Sequence, residues 1–574
     1  MNTLPDATDR RAPRAWMIAA LLAVAVAAFC VRVYRTDATF HSGDFASIPY
    51  MVTHLYAPVW IPAHIHGPLL PAVVWGFARL CVAAGLGMTE MLWRLPLVLV
   101  GSAQIFVTFL LMRRLGAMRW TALLAAGMAA VLPSLVTDAR YPWGYETLAV
   151  FMATAAIWAW LRALDLGTLR SECLAGGLIG LYLLSHLVIH ALPLMILAAA
   201  LIACGPRPAM RRLTRWPIVA PVLIAAAFTL FSYFALGGGI LSRIGQHVGT
   251  GTLNAGGGSW ATLPVAWLGH VGPIWLVICV AGIAGGLILI SGRDRRGLPA
   301  LWAVAYVAPM WLLIDLERIG RTTTYQIQGT YAATLAGCIL LELIWKTATA
   351  RTGRWLPVVR AGIVTCGGVA ITAQALGAVS NQYLTHRFPS VTGTIDYGRV
   401  IPDPGFKAAG WYVRRHVAEG AVILATHGMM GLEYPNAVYY LGRHVVAGEN
   451  IVFETQCRII QAVRDDIDVA VVEPRFLPLF TDGGAFEIRG RITRNDEPVL
   501  FVAARAGSHL PKLGIDVQAG NAAFDQAFAP RRLAALIAPN PGVSALRDTI
   551  DAIVRGEPIP PPIVLDSGAL AASH

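Results

Sequence analysis

The sequence predicts an α-helical polytopic membrane protein with about eleven transmembrane helices and a C-terminal extracytoplasmic α/β domain. The 574-residue chain is 56% hydrophobic and 14% charged, with a mean hydropathy of +0.59. Soluble domains contain about 25% charged residues. Apolar runs long enough to cross a bilayer recur up to about residue 380, and beyond it the runs shorten and charged residues return. We therefore predict a membrane domain at 1–380 and a second domain at 381–574.

The net charge of +12 follows from membrane topology. The arginines cluster between apolar runs, which is the pattern produced when basic loops stay on the cytoplasmic side. We therefore expect no nucleic-acid partner. The sequence contains no CxxC pair, and seven of the eight Cys lie in or beside apolar runs, so neither a disulfide framework nor a cysteine metal site is predicted.

Spans are predicted wherever an apolar run approaches the roughly 20 residues that a bilayer requires. They lie at 15–34, 92–112, 119–136, 146–163, 172–187, 189–204, 216–236, 271–291, 298–315, 329–346 and 357–379. The run at 66–86 is a further candidate. If it crossed, four later basic loops would fall outside, so we predict a juxtamembrane helix in the first outer loop. One alternative stays open, since reading 172–204 as a single span would reverse all later loops.

This count predicts a cytoplasmic N-terminus and a periplasmic C-terminal domain, and a bacterial inner membrane fits the pattern. Within the C-terminal domain, 407–417 reads as an amphipathic helix, and 421–425 and 468–472 read as buried strands. Residues 486–502 read as a hairpin turning at Asn495–Asp496. Beyond about residue 556 we predict an extended tail, because the sequence becomes rich in proline and small residues.

The first outer loop, at 38–70, has a composition that a simple connection does not need. It contains Asp44, four His, several Pro and no Lys or Arg. A carboxylate at the membrane surface can accept a proton from an attacking hydroxyl or help to hold a divalent cation. The alternative is that Asp44 is a solvated loop residue or the N-cap of a short helix.

Five short motifs then occur in a fixed order. They are HSGDFA at 41–46, HGPLL at 66–70, RLP at 94–96, RRLG at 113–116 and DARYP at 138–142. In this order they resemble the GT-C superfamily of integral-membrane glycosyltransferases, which includes protein O-mannosyltransferases, the lipid A aminoarabinose transferase and lipopolysaccharide core glycosyltransferases. The resemblance covers roughly 15–165 by motif and the remainder by architecture.

The resemblance implies a membrane enzyme that moves a hexosyl or pentosyl group from a polyprenyl-phosphate donor to an acceptor hydroxyl. The acceptor would be a glycolipid, a polysaccharide or a protein at the outer face, and the transfer would proceed with inversion. Asp44 corresponds to the general base or to a ligand of a divalent cation, Mg or Mn. His66 corresponds to a site-lining residue. Two positions depart from the family pattern, because Phe45 replaces a second acid and Leu70 replaces a tyrosine.

Further candidate residues surround the second outer loop. Arg140 can hold the donor phosphate through bidentate hydrogen bonds and so stabilise the leaving charge. Asp138 and Glu146 are further catalytic candidates, and the alternative is an Asp138–Arg140 pair that caps helix ends. Arg318 and Arg321 are also candidates for binding the donor phosphate. The alternative is that their side chains extend from the helix end towards the lipid headgroups. His64 and Tyr141 are predicted to line the site.

Other classes of site and function are less favoured. His64 and His66 are two residues apart and do not share a helix face, and no HExxH motif occurs, so a dedicated zinc site is not predicted. A transporter would show two related halves and broken helices at mid-membrane, which the sequence lacks. A non-catalytic envelope assembly protein stays an alternative, and the loss of the second acid at Phe45 favours it mildly.

Overall fold

The computed structural model describes residues 14–34, 68–86, 89–140, 144–185, 191–235, 267–268, 271–313, 327–350, 356–383, 405–425, 437, 440–443, 453–528 and 541–554. The chain forms two compact units, and in its C-terminal half the division falls after Val400. The described part of the first unit is helical. The second unit contains a five-stranded sheet.

The helices of the first unit follow the predicted apolar runs. They are α1 (Arg14–Val33), α2 (Leu69–Ala83), α3 (Glu90–Leu115), α4 (Arg119–Val131), α5 (Pro133–Asp138), α6 (Tyr145–Leu166), α7 (Leu169–Ser185), α8 (Ala191–Cys204), α9 (Pro206–Leu213), α10 (Trp216–Ala235), α11 (Pro273–Ser291), α12 (Leu298–Leu313), α13 (Ile327–Ala350) and α14 (Leu356–Tyr383). A 3₁₀ turn at Arg295–Gly297 precedes α12.

Five of the described helices, α1, α3, α6, α11 and α13, contain stretches long and apolar enough to cross a membrane. Shorter apolar stretches lie within α2, α4, α8, α10 and α14. The structure therefore confirms a predominantly helical membrane protein with several apolar helices. The count of eleven spans stays a prediction.

Ion pairs gather the basic loops at one end of the helical unit. Asp165, near the end of α6, pairs with Arg114 at 3.0 Å and with Arg295 at 3.1 Å. Glu342 accepts a hydrogen bond from Nζ of Lys346 at 2.6 Å, and it also accepts one from the backbone N–H of the residue preceding α4. The loops α3–α4, α6–α7 and α11–α12 therefore meet the last turns of α13 here. We call this the basic end.

Helices α7 and α8 run away from the basic end and return to it. Glu172 in α7 pairs with Arg215, which lies between α9 and α10. Arg212 donates hydrogen bonds to the carbonyls of Ala163 at 3.1 Å and Leu164 at 2.8 Å. A single span would place Glu172 and Arg215 on opposite sides of a hydrocarbon core about 30 Å thick. The arrangement therefore supports the prediction of two separate crossings.

The C-terminus of α1 and the N-terminus of α3 lie towards the other end. Arg140, beyond α5, donates to the carbonyl of Tyr34 at 2.6 Å, whereas α3 reaches the basic end at Arg114. Tyr34 and Glu90 therefore lie towards the same end of the helical unit, in agreement with a juxtamembrane interpretation of 66–86. Helix α2 has 15 residues, a length of about 22 Å that is short of the hydrocarbon core.

The predicted span at 119–136 is not one continuous helix. Helix α4 ends at Val131, and α5 begins at Pro133. Proline has no backbone N–H and cannot continue the hydrogen-bond ladder of the preceding helix. The break therefore separates Asp138, the last residue of α5, from the long axis of α4.

The second unit is an α/β domain built on a mixed sheet of strand order β1-β2-β4-β3-β5. Its elements are α15 (Phe406–His416), β1 (Ile423–Ala425), α16 (Phe453–Val463), β2 (Val469–Val472), α17 (Pro478–Thr481), β3 (Phe486–Arg494), β4 (Glu497–Arg505), β5 (Leu513–Asp516), α18 (Val517–Ala527) and α19 (Pro541–Val554). The pairs β1–β2 and β3–β5 are parallel, and the other two are antiparallel. Apolar residues of α16 and α19 pack in one core with β2 and β4.

The local predictions for this unit are confirmed. Helix α15 and strands β1 and β2 lie where the apolar patterns place them. The hairpin β3–β4 turns at Asn495 and Asp496, with φ values of 52° and 66°. A two-residue turn with both central residues in the left-handed region matches the twist of the flanking strands. The predicted tail beyond 556 lies outside the described residues.

Candidate functional site

Three predicted site residues lie together at the end of the helical unit opposite the basic end. Asp138 closes α5, Arg140 follows it, and Glu146 lies in the first turn of α6. All three are buried, with exposed fractions of 3%, 8% and 0%. The other six, which lie outside the described residues, are Asp44, His64, His66, Tyr141, Arg318 and Arg321.

Asp138 caps the beginning of α6. Its Oδ2 accepts hydrogen bonds from the backbone N–H of Thr147 at 2.6 Å and from the Thr147 hydroxyl at 2.8 Å. The first N–H groups of a helix have no partner within it, and Gly144 at the N-cap position has no side chain to supply one. Burial raises the pKa of Asp138 to about 7, while the two hydrogen bonds from Thr147 act in the opposite direction. The capping role that the sequence left open is therefore present.

Gly144 allows α6 to begin this close to Asp138. A Cβ at Gly144 would overlap the carbonyl oxygen of Asp138 and would lie 2.9 Å from its carbonyl carbon. Both are backbone atoms, so they cannot move aside as the end of a flexible side chain can. The contact between Asp138 and Thr147 therefore depends on the absence of a side chain at Gly144.

Arg140 holds the chain that leaves α1. Its Nη2 donates a hydrogen bond to the carbonyl of Tyr34, the residue after the last residue of α1. Tyr34 lies ten residues before Asp44 in the sequence. Arg140 therefore anchors the start of the first outer loop, a role that sequence reasoning did not find.

Arg32 is a second buried cation at this end, and sequence reasoning missed it. It is fully buried in α1. Its Nη1 donates to the carbonyl of Ala130 at 2.8 Å, and its Nη2 donates to the carbonyl of Ala129 at 3.0 Å. In an unbroken helix, the carbonyl of Ala129 would accept from residue 133, but Pro133 has no N–H. Arg32 therefore satisfies the carbonyls exposed by the helix break that precedes Asp138.

The sequence did contain a signal for Arg32. It is a charged residue near the end of an otherwise apolar predicted span, and ionisable residues at membrane depth usually have a partner. Its partners are backbone carbonyls about 100 positions away, and no side-chain pattern reveals those. Gly101 of α3 lies against the same arginine, since a Cβ there would lie 3.0 Å from Nε of Arg32.

Glu146 belongs to a polar layer inside the helical unit. Its carboxylate interacts electrostatically with that of Asp138 and lies beside the hydroxyl of Tyr306. Close by, Oε1 of Gln328 accepts from the hydroxyl of Tyr182 at 3.1 Å and from the indole N–H of Trp302 at 3.3 Å. These side chains come from α6, α7, α12 and α13 and are at most 1% exposed. The layer therefore fixes the first turn of α13, the helix that follows Arg318 and Arg321.

The described residues do not by themselves build a metal site. Within the described ranges, no group of three or more His, Cys, Asp or Glu side chains is placed to hold an ion. At this end they supply three buried carboxylates, Glu90, Asp138 and Glu146, and Asp138 already accepts two hydrogen bonds from Thr147.

Comparison with known proteins identifies the fold. No protein-family model and no curated protein sequence matches the chain. Solved structures do match, among them ArnT from Cupriavidus metallidurans in the apo state, with a TM-score of 0.60 at 13% identity. The structure of ArnT bound to undecaprenyl phosphate gives 0.59 at 15% identity. Both alignments cover 87% of this chain and 99% of ArnT.

The oligosaccharyltransferase AglB from Archaeoglobus fulgidus, in complex with an inhibitory peptide and a dolichol-phosphate, also matches. Its TM-score is 0.51 at 13% identity, and the alignment covers 80% of this chain and 70% of AglB. The chain therefore has the fold of the GT-C membrane glycosyltransferases, as the order of the five motifs predicted. At these identities the likeness establishes the fold, and the reaction has to be argued from the residues.

Proposed function

We propose that this protein is a membrane glycosyltransferase that moves a sugar from a polyprenyl-phosphate donor to an acceptor hydroxyl, with inversion. The observation that carries the proposal is the GT-C fold over 87% of the chain. The ligands of the matched structures support the donor class, because ArnT is bound to undecaprenyl phosphate and AglB to a dolichol-phosphate. The buried charges of Asp138, Arg140 and Glu146 support placing the transfer site at this end of the helical unit.

On the donor side, an arginine would bind the phosphate of the leaving group. Negative charge develops on that phosphate as the glycosidic bond breaks, and a fixed guanidinium stabilises it. Arg140 is one candidate, since it is held in place at the junction of α1 and α5. Arg318 and Arg321 are the other candidates, in the segment that precedes the buried layer around Gln328.

On the acceptor side, Asp44 would act as the general base. The acceptor oxygen forms a bond to the anomeric carbon on the face opposite the phosphate, the bond from that carbon to the phosphate oxygen breaks, and Asp44 takes the hydroxyl proton. Ten residues span at most about 35 Å, so a loop anchored at Tyr34 can bring Asp44 to the Asp138 end. Asp138 and Glu146 are the alternative acids, and His64, His66 and Tyr141 would line the site.

We also propose that the enzyme binds a divalent cation, Mg or Mn, with Asp44 as a ligand. The resemblance implies it, and an oligosaccharyltransferase from Archaeoglobus fulgidus is described as a complex with Zn and sulfate. When bound, such an ion would neutralise the charge of the donor phosphate. Dialysis against a chelator, followed by readdition of Mg or Mn, tests this part by the loss and recovery of transfer.

We further propose that the Asp138 end faces the periplasm of a bacterial inner membrane, with the N-terminus in the cytoplasm and 381–574 outside. The gathering of basic loops at the opposite end supports this orientation, because basic loops are kept on the cytoplasmic side. Cysteine accessibility in intact cells tests it. A cysteine introduced near residue 167 should be protected from an impermeant reagent, and one near residue 496 should react.

The test of the function is glycan mass spectrometry of the cell envelope in a deletion strain. The strain is complemented with wild type, Asp44→Asn or Asp138→Asn. Asp165→Asn, which changes an aspartate at the basic end, is the matched control. We expect wild type and the control to restore a missing sugar, and Asp44→Asn at equal expression to fail. If deletion changes no glycan under any growth condition, the transferase proposal fails.

The second candidate is a non-catalytic envelope assembly protein, which Phe45 favours because it replaces a second acid of the family motif. The two functions differ in what the purified protein contains. Polyprenyl phosphate extracted from the purified protein supports the enzyme. Its absence, together with an unchanged glycan profile, supports the assembly role.

A further inference from the structure

Helix α9 presents an amphipathic surface at the basic end. It follows the apolar helix α8 and precedes the apolar helix α10. Its inner side holds Ala209, which is fully buried, and Arg212, which donates to carbonyls of α6. Arg207 and Arg211 lie four residues apart on the outer side, where both are exposed. Residues at this spacing neighbour each other on a helix.

The carboxylates described at the basic end are already paired with other bases. Asp165 pairs with Arg114 and Arg295, Glu172 with Arg215, Asp294 with Arg296 and Glu342 with Lys346. Within the ranges that the structure describes, no carboxylate pairs with Arg207 or Arg211. The outer side of α9 therefore carries two positive charges without a described counter-ion.

Large apolar side chains flank these two arginines. Met210 is 53% exposed and Trp216, the first residue of α10, is 73% exposed. Exposed apolar groups beside basic ones are unfavourable in water but suited to the boundary between lipid headgroups and acyl chains. Tryptophan is enriched at this depth of a membrane.

We propose that the outer side of α9, formed by Arg207, Met210 and Arg211, together with Trp216 at the start of α10, is a binding site for anionic phospholipid headgroups. The two guanidinium groups donate hydrogen bonds to a phosphodiester, and Met210 and Trp216 contact the upper acyl chains. Helix α9 joins two apolar helices, so its outer side lies at headgroup level. That position favours a lipid over a soluble anionic partner.

The test is native mass spectrometry of the full chain in a neutral detergent, titrated with phosphatidylglycerol. Phosphatidylcholine, which has no net charge, is titrated in parallel. The variant Arg207→Gln/Arg211→Gln removes two charges from α9. The matched control Arg170→Gln/Arg293→Gln removes two exposed charges elsewhere at the same end, one from the start of α7 and one from the turn after α11.

We expect wild type and the control to retain phosphatidylglycerol in preference to phosphatidylcholine. The α9 variant should bind it roughly tenfold to thirtyfold more weakly, on the basis of about 1 kcal/mol for each basic residue near an anionic surface. An unchanged melting temperature shows that this loss is not misfolding. Equal weakening in the control, or equal binding of phosphatidylcholine by wild type, overturns the proposal.

Trp216→Ala gives a second measurement that does not depend on the folding of the double arginine variant. It leaves both arginines in place and removes the apolar flank. We expect it to weaken retention of both lipids while the preference for phosphatidylglycerol persists. Loss of that preference in Trp216→Ala would contradict the assignment of charge recognition to Arg207 and Arg211.

Discussion

Replacing Arg32 by methionine should destabilise the helical unit, because it leaves the broken end of α4 without its donors. Methionine is apolar and of similar length, so the change removes the hydrogen bonds while much of the packing remains. The carbonyls of Ala129 and Ala130 lose their contacts of 3.0 and 2.8 Å to the guanidinium. Arg32 is fully buried, so water cannot readily replace it.

The magnitude follows from the number of acceptors left without a partner. A buried polar group that loses its hydrogen bond costs about 1–3 kcal/mol, which gives about 2–6 kcal/mol for two carbonyls. Removing a buried cation offsets part of this loss in the free energy of unfolding, because burying the guanidinium had an unfavourable desolvation cost. We therefore expect a net loss of about 2 kcal/mol or slightly more, which for a unit of this size corresponds to a fall of roughly 2–3 °C in apparent melting temperature.

The assay is thermal unfolding of the full chain in detergent, followed by the fraction that remains monodisperse after heating. Arg170→Met is the matched control, since Arg170 is exposed at the start of α7. Arg32→Lys should fall between wild type and Arg32→Met, because one ammonium can reach only part of the same carbonyl set. If Arg32→Met and Arg170→Met unfold at the same temperature as wild type, the reasoning about the helix break is refuted.

Three further outcomes are expected. Gly144→Ala should lower the yield of monodisperse protein and abolish glycan restoration, since its Cβ would overlap backbone atoms of Asp138, whereas Gly177→Ala, where a Cβ meets nothing within 4 Å, should behave as wild type. Equal yields from the two glycine variants would contradict the close approach. Asp496→Gly should stabilise the second unit by about 0.5–1 kcal/mol, because glycine adopts a positive φ without steric cost, and protease resistance of that unit in urea measures the gain. Tyr412→Phe should cost about 1 kcal/mol in the same assay, since its hydroxyl donates to the carbonyl of Pro511 at 2.6 Å, and no change would show that water replaces this bond.

Local patterns in the sequence predicted several elements correctly. Apolar runs located the helices of the membrane part, and the turn residues Asn495–Asp496 located the β3–β4 hairpin. The positions of basic residues favoured a non-spanning 66–86, and the sequence left open whether 172–204 crosses once or twice; the ion pair between Glu172 and Arg215 supports two crossings. The helices and the hairpin could be located because hydrophobic periodicity and turn geometry act over short stretches of chain, and the membrane topology stays a prediction.

Part of the candidate site was predictable for the same reason. Asp138, Arg140 and Glu146 stand within nine residues of one another, so a turn between two helices is enough to bring them close. Their individual partners were not predictable. Asp138 caps α6 through Thr147 only because Gly144 leaves room, and Arg140 turned out to anchor Tyr34 across 106 residues.

The sequence by itself therefore determined the fold class, the order of the apolar helices and the residues available for chemistry. Only the tertiary structure decided that Pro133 breaks a predicted span, that Arg32 satisfies the exposed carbonyls and that Glu146 joins a buried layer with Tyr306. The physical reason is that these contacts are made with backbone carbonyls or across distant helices. Every residue has a backbone carbonyl, so the residue type does not show which one is the partner. The positions of these partners depend on how the helices pack.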